Sequence, residues 1–295
     1  MTRLKIILTG ASGLIGEALA GALALDGHAV VRVARRGTPS ADRIVAGEDF
    51  ANLQPEAMAG QEAVIHLAGA SIAGARWSPR VKERIRQSRV LGTRRLVEAC
   101  AGMPQPPRVL LCASAVGYYG HRGDVLCDET TPPGEGFLAG VVQEWEREAF
   151  RAEEAGVRVV AMRFGVVLDR SGGLLARLLP PFRLGLGGPL GDGRQYLSWV
   201  SREDVVGAAR HLLAREDVAG PVNVTAPAPV TNREFTRLLA RSLGRPAFFR
   251  VPAFALRLAF GEMADELMLG GVRALPRKLL ESGYQFRHPG LGDLF

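Results

Sequence analysis

The sequence predicts an α/β fold, a doubly wound parallel sheet followed by a smaller C-terminal lobe. Three observations carry this expectation. Short apolar runs alternate with amphipathic stretches over the first two-thirds of the chain, a glycine-rich turn joins the first run to the first amphipathic stretch, and the alternation stops near Leu168. Runs that are apolar throughout suit strands buried on both faces, and right-handed helical crossovers are how parallel strands of that kind are joined.

The elements follow in order. "LKIILTG" (4–10) is a buried strand, "LIGEALAGALALDG" (14–27) has helical spacing and stops at Gly27, and "HAVVRVAR" (28–35) is a second strand. "AVIHLAGA" (63–70) is a strand in which His66 is read as a packed residue rather than a base, and "VKERIRQSRVLGTRRLVEACAG" (81–102) is a long helix. "RVLLCASAV" (108–116), "FLAGVVQEWEREAFRAEEAG" (137–156) and "VRVVAMRFGVVL" (157–168) continue as strand, helix and strand. After Leu168 the segment at about 169–200 is rich in glycine and proline and reads as a loop insertion, too long for a plain connection and therefore functional. A helix over 203–214 and a short strand "GPVNVTA" come next, and "TNREFTRLLARSLG" opens on a capping box from Thr231 to Glu234. The division expected is a domain over 1–225 and a small helical domain over 246–295 that packs against it.

Composition narrows the class. Hydrophobic residues make up 47% and charged residues 23%, the balance of a water-soluble globular protein. The net charge of +7 is almost all arginine, since Lys5, Lys82 and Lys278 are the only lysines. Those arginines are scattered without interleaved aromatics, so no nucleic-acid partner is expected, while an anionic small molecule fits. Cys100, Cys112 and Cys127 have no metal-type spacing and read as reduced structural thiols, so no metal is expected. No leader-like N-terminal region and no run of ~18 apolar residues is present, which predicts a cytoplasmic protein with no membrane partner.

"TGASGLIG" puts Gly10, Gly13 and Gly16 between the first strand and the first helix. Glycines there let the backbone turn tightly, approach a pyrophosphate and pack the helix on the sheet, while the helix N-terminus favours negative charge. In its strand–turn–helix context this is a dinucleotide-binding Rossmann turn. Ser12 is a phosphate contact, and Leu14 and Ile15 complete the cofactor-facing turn. About twenty residues on, where NAD binders carry an acidic residue for the ribose 2′-hydroxyl, the chain reads "VRVARRG". Arg35 and Arg36 can neutralise a 2′-phosphate, which predicts NADP; the alternative is a pair of solvated surface arginines.

With "TGASGLIG", "HLAGAS", "SRVLGTRRLVEA" and "CASAVGYYG" in that order, the chain resembles the extended, epimerase/dehydratase-like branch of the short-chain dehydrogenase/reductase superfamily. "PPFRLGLGGPLGDGRQYLSWV", "APVTNREFTRLLARSLGRPAFFRVPAFALRL" and "LPRKLLESGYQF" narrow the resemblance to atypical epimerase-family proteins with a small C-terminal domain of unknown function. The resemblance implies an NADP-dependent oxidoreductase or epimerase. It places Leu67, Ala68 and Gly69 on the adenosine side, and Gly165, Val166 and Val167 beside the nicotinamide.

The superfamily's usual acid–base set is a serine or threonine, a tyrosine, and a lysine four residues after the tyrosine. This chain has no Tyr-x-x-x-Lys; the helix that should carry it has Leu138 and Val142 at roughly those positions. Ser114, Tyr118 and Tyr119 remain as catalytic candidates. Ser114 can bond a substrate oxygen or the nicotinamide, or be satisfied locally. Arg89 stands where the branch has an asparagine, and can take ribose or carboxamide contacts or sit in a surface salt bridge. On the substrate side, Leu197 stands at about the place where the resemblance implies an arginine for a diphosphate; Arg183 and Arg194 can attract an anion, and Trp77, Tyr196 and Trp199 offer apolar surface or pack the lobe. The expected ligand is a small molecule, anionic or partly apolar, and a second copy of the chain is a candidate partner as a homodimer. The function expected is an NADP-binding oxidoreductase or epimerase-like enzyme; the alternative is a non-catalytic NADP(H)-sensing protein.

Overall fold

A computed structural model describes residues 3–37, 40 and 42–295. The chain runs through Lys5–Thr9 (β1), Leu14–Leu25 (α1), Ala29–Ala34 (β2), Arg43–Val45 (β3), Ala63–His66 (β4), Pro79–Ala101 (α2), Val109–Ala115 (β5), Leu126–Cys127 (β6), Phe137–Phe150 (α3), Arg158–Phe164 (β7) and Val166–Asp169 (β8). It continues through Gly173–Arg183 (α4), Tyr196–Leu197 (β9), Trp199–Ser201 (β10), Arg202–Ala214 (α5), Gly220–Val224 (β11), Val230–Thr231 (β12), Asn232–Ser242 (α6), Ala253–Phe260 (α7), Glu262–Ala264 (α8), Arg273–Ala274 (β13) and Arg277–Glu281 (α9).

Seven strands form one parallel sheet in the order β11-β7-β5-β4-β1-β2-β3. Alternate residues of β1, β4, β5 and β7 feed two cores. Ile6 and Leu8 of β1 join Leu19, Leu23, Val205 and Leu212 on one face, while Ile7 joins Leu96, Cys100 and Trp145 on the other. The strand order reverses between β1 and β4, and a doubly wound sheet opens its crevice outside the carboxyl ends at that point. Gly10 and Leu67, which follow those two strands, therefore flank the crevice. No helix among the described residues is long and apolar enough to cross a membrane.

Three expectations change. The 169–200 segment is not a plain loop: it contains α4, β9 and β10. Pro180 and Pro181, whose missing N–H groups read as helix breakers, lie in the last turns of α4. Leu175, Leu179 and Phe182 of the same helix are buried with Phe235 and Leu239 of α6, and this packing outweighs the proline cost. Trp199, expected to offer surface to a substrate, is 0% exposed in that core, and its Nε1 donates to the Ala228 carbonyl at 3.0 Å. The tail is not a purely helical unit either. β13 pairs in parallel with β6, and the Asp204 carboxylate at the start of α5 accepts the N–H groups of Arg287 and His288 at 2.7 and 2.9 Å. The capping box forms as expected, with Thr231 and Glu234 each taking the other's backbone N–H.

Candidate functional site

A cleft of about 350 Å³ opens at the carboxyl ends of β1, β4 and β5. Gly10 turns with a φ of 68°, and a Cβ there would lie 2.7 Å from the Leu67 carbonyl carbon. A Cβ on Gly16 would collide with the Gly10 carbonyl oxygen. The first glycine thus lets the turn press against β4, and the last lets α1 seat on the turn. Gly13 caps α1 with no side-chain hydrogen bond, so the first N–H groups of the helix stay open to an anion. This cradle fits a pyrophosphate: Gly10, Gly13, Leu14, Ile15 and Gly16 all line the cleft, with Ser12 exposed beside them.

Leu67, Ala68 and Gly69 line the cleft after β4. Of the three residues after β7, only Val167 does so. Gly165 instead packs on the chain opposite: a Cβ there would lie 2.6 Å from the Ser198 carbonyl oxygen. Val166 is taken up by the pairing of β8 with β10, where it registers with Trp199. Arg35 and Arg36 are exposed just after β2, with Glu48 at 3.6 and 3.9 Å. Such loose, solvated pairs hold about 0–1 kcal/mol and yield to a phosphate.

Arg89 projects from α2 to the cleft. Its Nη1 donates to the carbonyls of Ala70 and Ile85 at 3.0 and 3.2 Å, and its guanidinium lies 5.3 Å from the Trp145 ring. Burial lowers its pKa to about 10, so it remains a cation at neutral pH. Behind it, His66 is fully buried between Thr9 and Thr93, at 2.7 and 3.0 Å. Burial, and then the charge of Arg89, push the imidazole down to about 3, so His66 is a neutral packing residue.

Ser114 lines the cleft, but its hydroxyl donates inward to Glu146 Oε1 at 2.6 Å. Glu146 also receives Nε and Nη2 of Arg163, both at 2.7 Å, in an ion pair exposed by only a few per cent on either side. Ser114 thus presents lone pairs to the cleft rather than a proton. Tyr119 is not at the site. It is 0% exposed, accepts from Arg163 Nη1 at 3.0 Å and donates to Asn223 Oδ1 at 2.8 Å. Burial pushes its phenol up to about 12, against the lowering pull of Arg163 and Asn223. Tyr118 lies outside the cleft lining as well, its ring 3.5 Å from the Arg163 guanidinium. A loop tyrosine after β5 points back toward Arg163 because that buried cation needs acceptors and a π face.

Leu138 and Val142, in the places of a tyrosine and a lysine, both line the cleft. The wall they form with Val141, Ala113 and Phe164 is apolar. No motif marks the Glu146–Arg163 pair, although a charge inside the run "VVAMRF" and another on the apolar face of "FLAGVVQEWE" signal a buried partner for each. On the substrate side, Trp77 donates to the Ile72 carbonyl at 2.8 Å and meets Phe137 edge-on at 5.2 Å. Tyr196 lies under the Arg273 guanidinium, 5.0 Å away, and Arg183 and Arg194 are exposed.

Comparison with known proteins agrees with this geometry. Residues 6–225 match the model of the NAD dependent epimerase/dehydratase family, and residues 251–294 match a domain of unknown function, DUF1731. Over 293 residues the chain is 43% identical to the epimerase family protein Mb2239 of Mycobacterium bovis, covering 99% of this chain and 97% of that one. Human epimerase family protein SDR39U1 is 35% identical over 292 residues, covering 98% and 97%. A crystal structure of the human protein with NADPH superposes with a TM-score of 0.87 at 33% identity, covering 98% of this chain and 97% of that one. With the strand order, the glycine cradle and these likenesses together, the chain belongs to the NAD dependent epimerase/dehydratase family.

Proposed function

We propose that the protein is an NADP-dependent oxidoreductase or epimerase-like enzyme acting on a small molecule, without the tyrosine–lysine pair. The observation that carries the choice of NADP is the placement of Arg35 and Arg36 directly after β2, the strand that pairs with β1 ahead of the glycine cradle. The NADPH in the human relative's structure supports it. When bound, the cofactor supplies hydride exchange. The chain's own residues bind and orient. The open N-terminus of α1 holds the pyrophosphate, Arg35 and Arg36 the 2′-phosphate, and the free N–H groups of Arg89 a ribose or carboxamide oxygen. Ser114, its proton committed to Glu146, accepts from a donor on the cofactor or substrate. The wall of Leu138, Val141 and Val142 excludes water and suits a partly apolar substrate.

A second reading, a non-catalytic NADP(H)-sensing protein, is favoured by one observation: the residues at the proton-transfer positions are leucine and valine, and Tyr119 is buried elsewhere. Mixing the NADPH-loaded protein with a library of small carbonyl compounds separates the two. Oxidation of bound NADPH by one compound class supports the enzyme. Failure of all of them, together with a protein partner whose affinity depends on NADPH, replaces it with the sensor.

A further inference from the structure

Among the described residues, Arg89 is the one ionisable side chain that lines the cleft. Among the described residues it forms no ion pair: Nη1 is used by two backbone carbonyls, and Nε and Nη2 make no hydrogen bond to a described residue. Among the described residues, no carboxylate lines the cleft beside it. Glu146 is spent on Arg163 behind Ser114, His66 is buried between two threonines, and the Glu266 carboxylate accepts the N–H groups of Phe137 and Leu138 at the start of α3. The walls toward the reactive half of a dinucleotide, Ala113, Leu138, Val142, Phe164 and Val167, are apolar. The cleft therefore pairs one uncompensated positive charge with a hydrocarbon surface.

The two redox forms of NADP differ where this matters. The oxidised nicotinamide ring is a cation, the reduced ring is neutral, and the remainder of the molecule is the same. We propose that the cleft selects the reduced cofactor, with Arg89 and the apolar wall disfavouring the oxidised ring, so that the protein holds NADPH in preference to NADP+. This rests on the reading that NADP occupies the cleft. Both effects act in one direction. A pyridinium entering an apolar wall loses hydration that no carboxylate replaces, and it also meets the field of a like charge. Two unit charges within about 10 Å, at the effective dielectric of a protein surface, shift binding by roughly tenfold or more.

The test is equilibrium titration of the full chain with NADPH and, separately, with NADP+, on the wild type, Arg89→Met and Arg89→Lys at physiological salt. The wild type is expected to bind NADPH at least ~10-fold tighter, Arg89→Met to shrink that ratio by roughly tenfold, and Arg89→Lys, which keeps the charge, to retain it. A wild type that binds both forms equally overturns the inference alone, as does an Arg89→Met protein that weakens both forms by the same factor. If Arg89→Met does not fold, Arg89→Gln takes its place, with the wild-type ratio as an independent readout. Failure of the wild type to bind either form overturns the reading of the cleft, and the inference with it.

Discussion

The Ser114 hydroxyl donates to Glu146 across 2.6 Å, and that carboxylate is held on its other side by two N–H groups of Arg163. The relationship sets an order of stabilities. Ser114→Ala removes one charge-assisted hydrogen bond and leaves the ion pair intact, a cost of about 1.5–3 kcal/mol. Glu146→Gln leaves Arg163 as a buried charge without a counter-ion, a cost of about 3–5 kcal/mol and a fall in Tm on the order of 10 °C. Thermal and urea unfolding of the two variants should rank them this way; equal losses would mean that the pair is solvated.

Glycine positions in α1 and its turn predict opposite signs. Gly16→Ala drives a methyl into the Gly10 carbonyl and should both destabilise the fold and abolish cofactor binding. A Cβ at Gly21, in the middle of α1, meets nothing within 4 Å. Gly21→Ala should therefore stabilise by about 0.5–1 kcal/mol through helix propensity, with binding unchanged. Urea midpoints and a titration with NADPH report both.

His66 makes stability depend on pH. Its folded pKa of about 3 lies below the ordinary value of 6.5. Between those values the unfolded chain binds a proton that the folded one does not, so the contribution is complete above pH 6.5 and is lost as pH falls. The slope is at most about 1.4 kcal/mol per pH unit. His66→Gln should flatten the profile between pH 6.5 and 5 by up to that amount, measured as unfolding free energy in urea. An unchanged slope would place the imidazole in contact with water.

Leu138→Tyr with Val142→Lys would install a Tyr-x-x-x-Lys pair on the cleft wall. In a protein that still folds and loads NADPH, the double variant should oxidise it with a small aromatic ketone about 100-fold faster than wild type does. A folded, loaded variant without that gain would show that these positions do not face the reacting ring.

The parallel sheet was legible because its strands are buried on both faces and so read as unbroken apolar runs, and the cradle because glycine spacing reports backbone geometry directly. Helix α4 was not legible: Pro180 and Pro181 are strong local signals, and what overrides them is packing of Leu179 and Phe182 on α6, which is distant in sequence. Tyr119 misled for a related reason. Its place after β5 matches a catalytic loop, whereas its orientation is set by Arg163, 44 residues away. Side-chain direction depends on partners, and the partners come from other elements. Leu138 and Val142 went the other way, since a family motif placed them and the structure puts both on the cleft.

Every role given to the cleft residues requires that NADP binds there. Calorimetric titration of the wild type with NADPH and with NADH, repeated on the Arg35→Ala/Arg36→Ala protein, tests it most directly. The prediction is that the wild type binds NADPH at least ~10-fold tighter than NADH, and that the double substitution removes the difference by weakening NADPH alone. Equal affinity of the wild type for the two would contradict it.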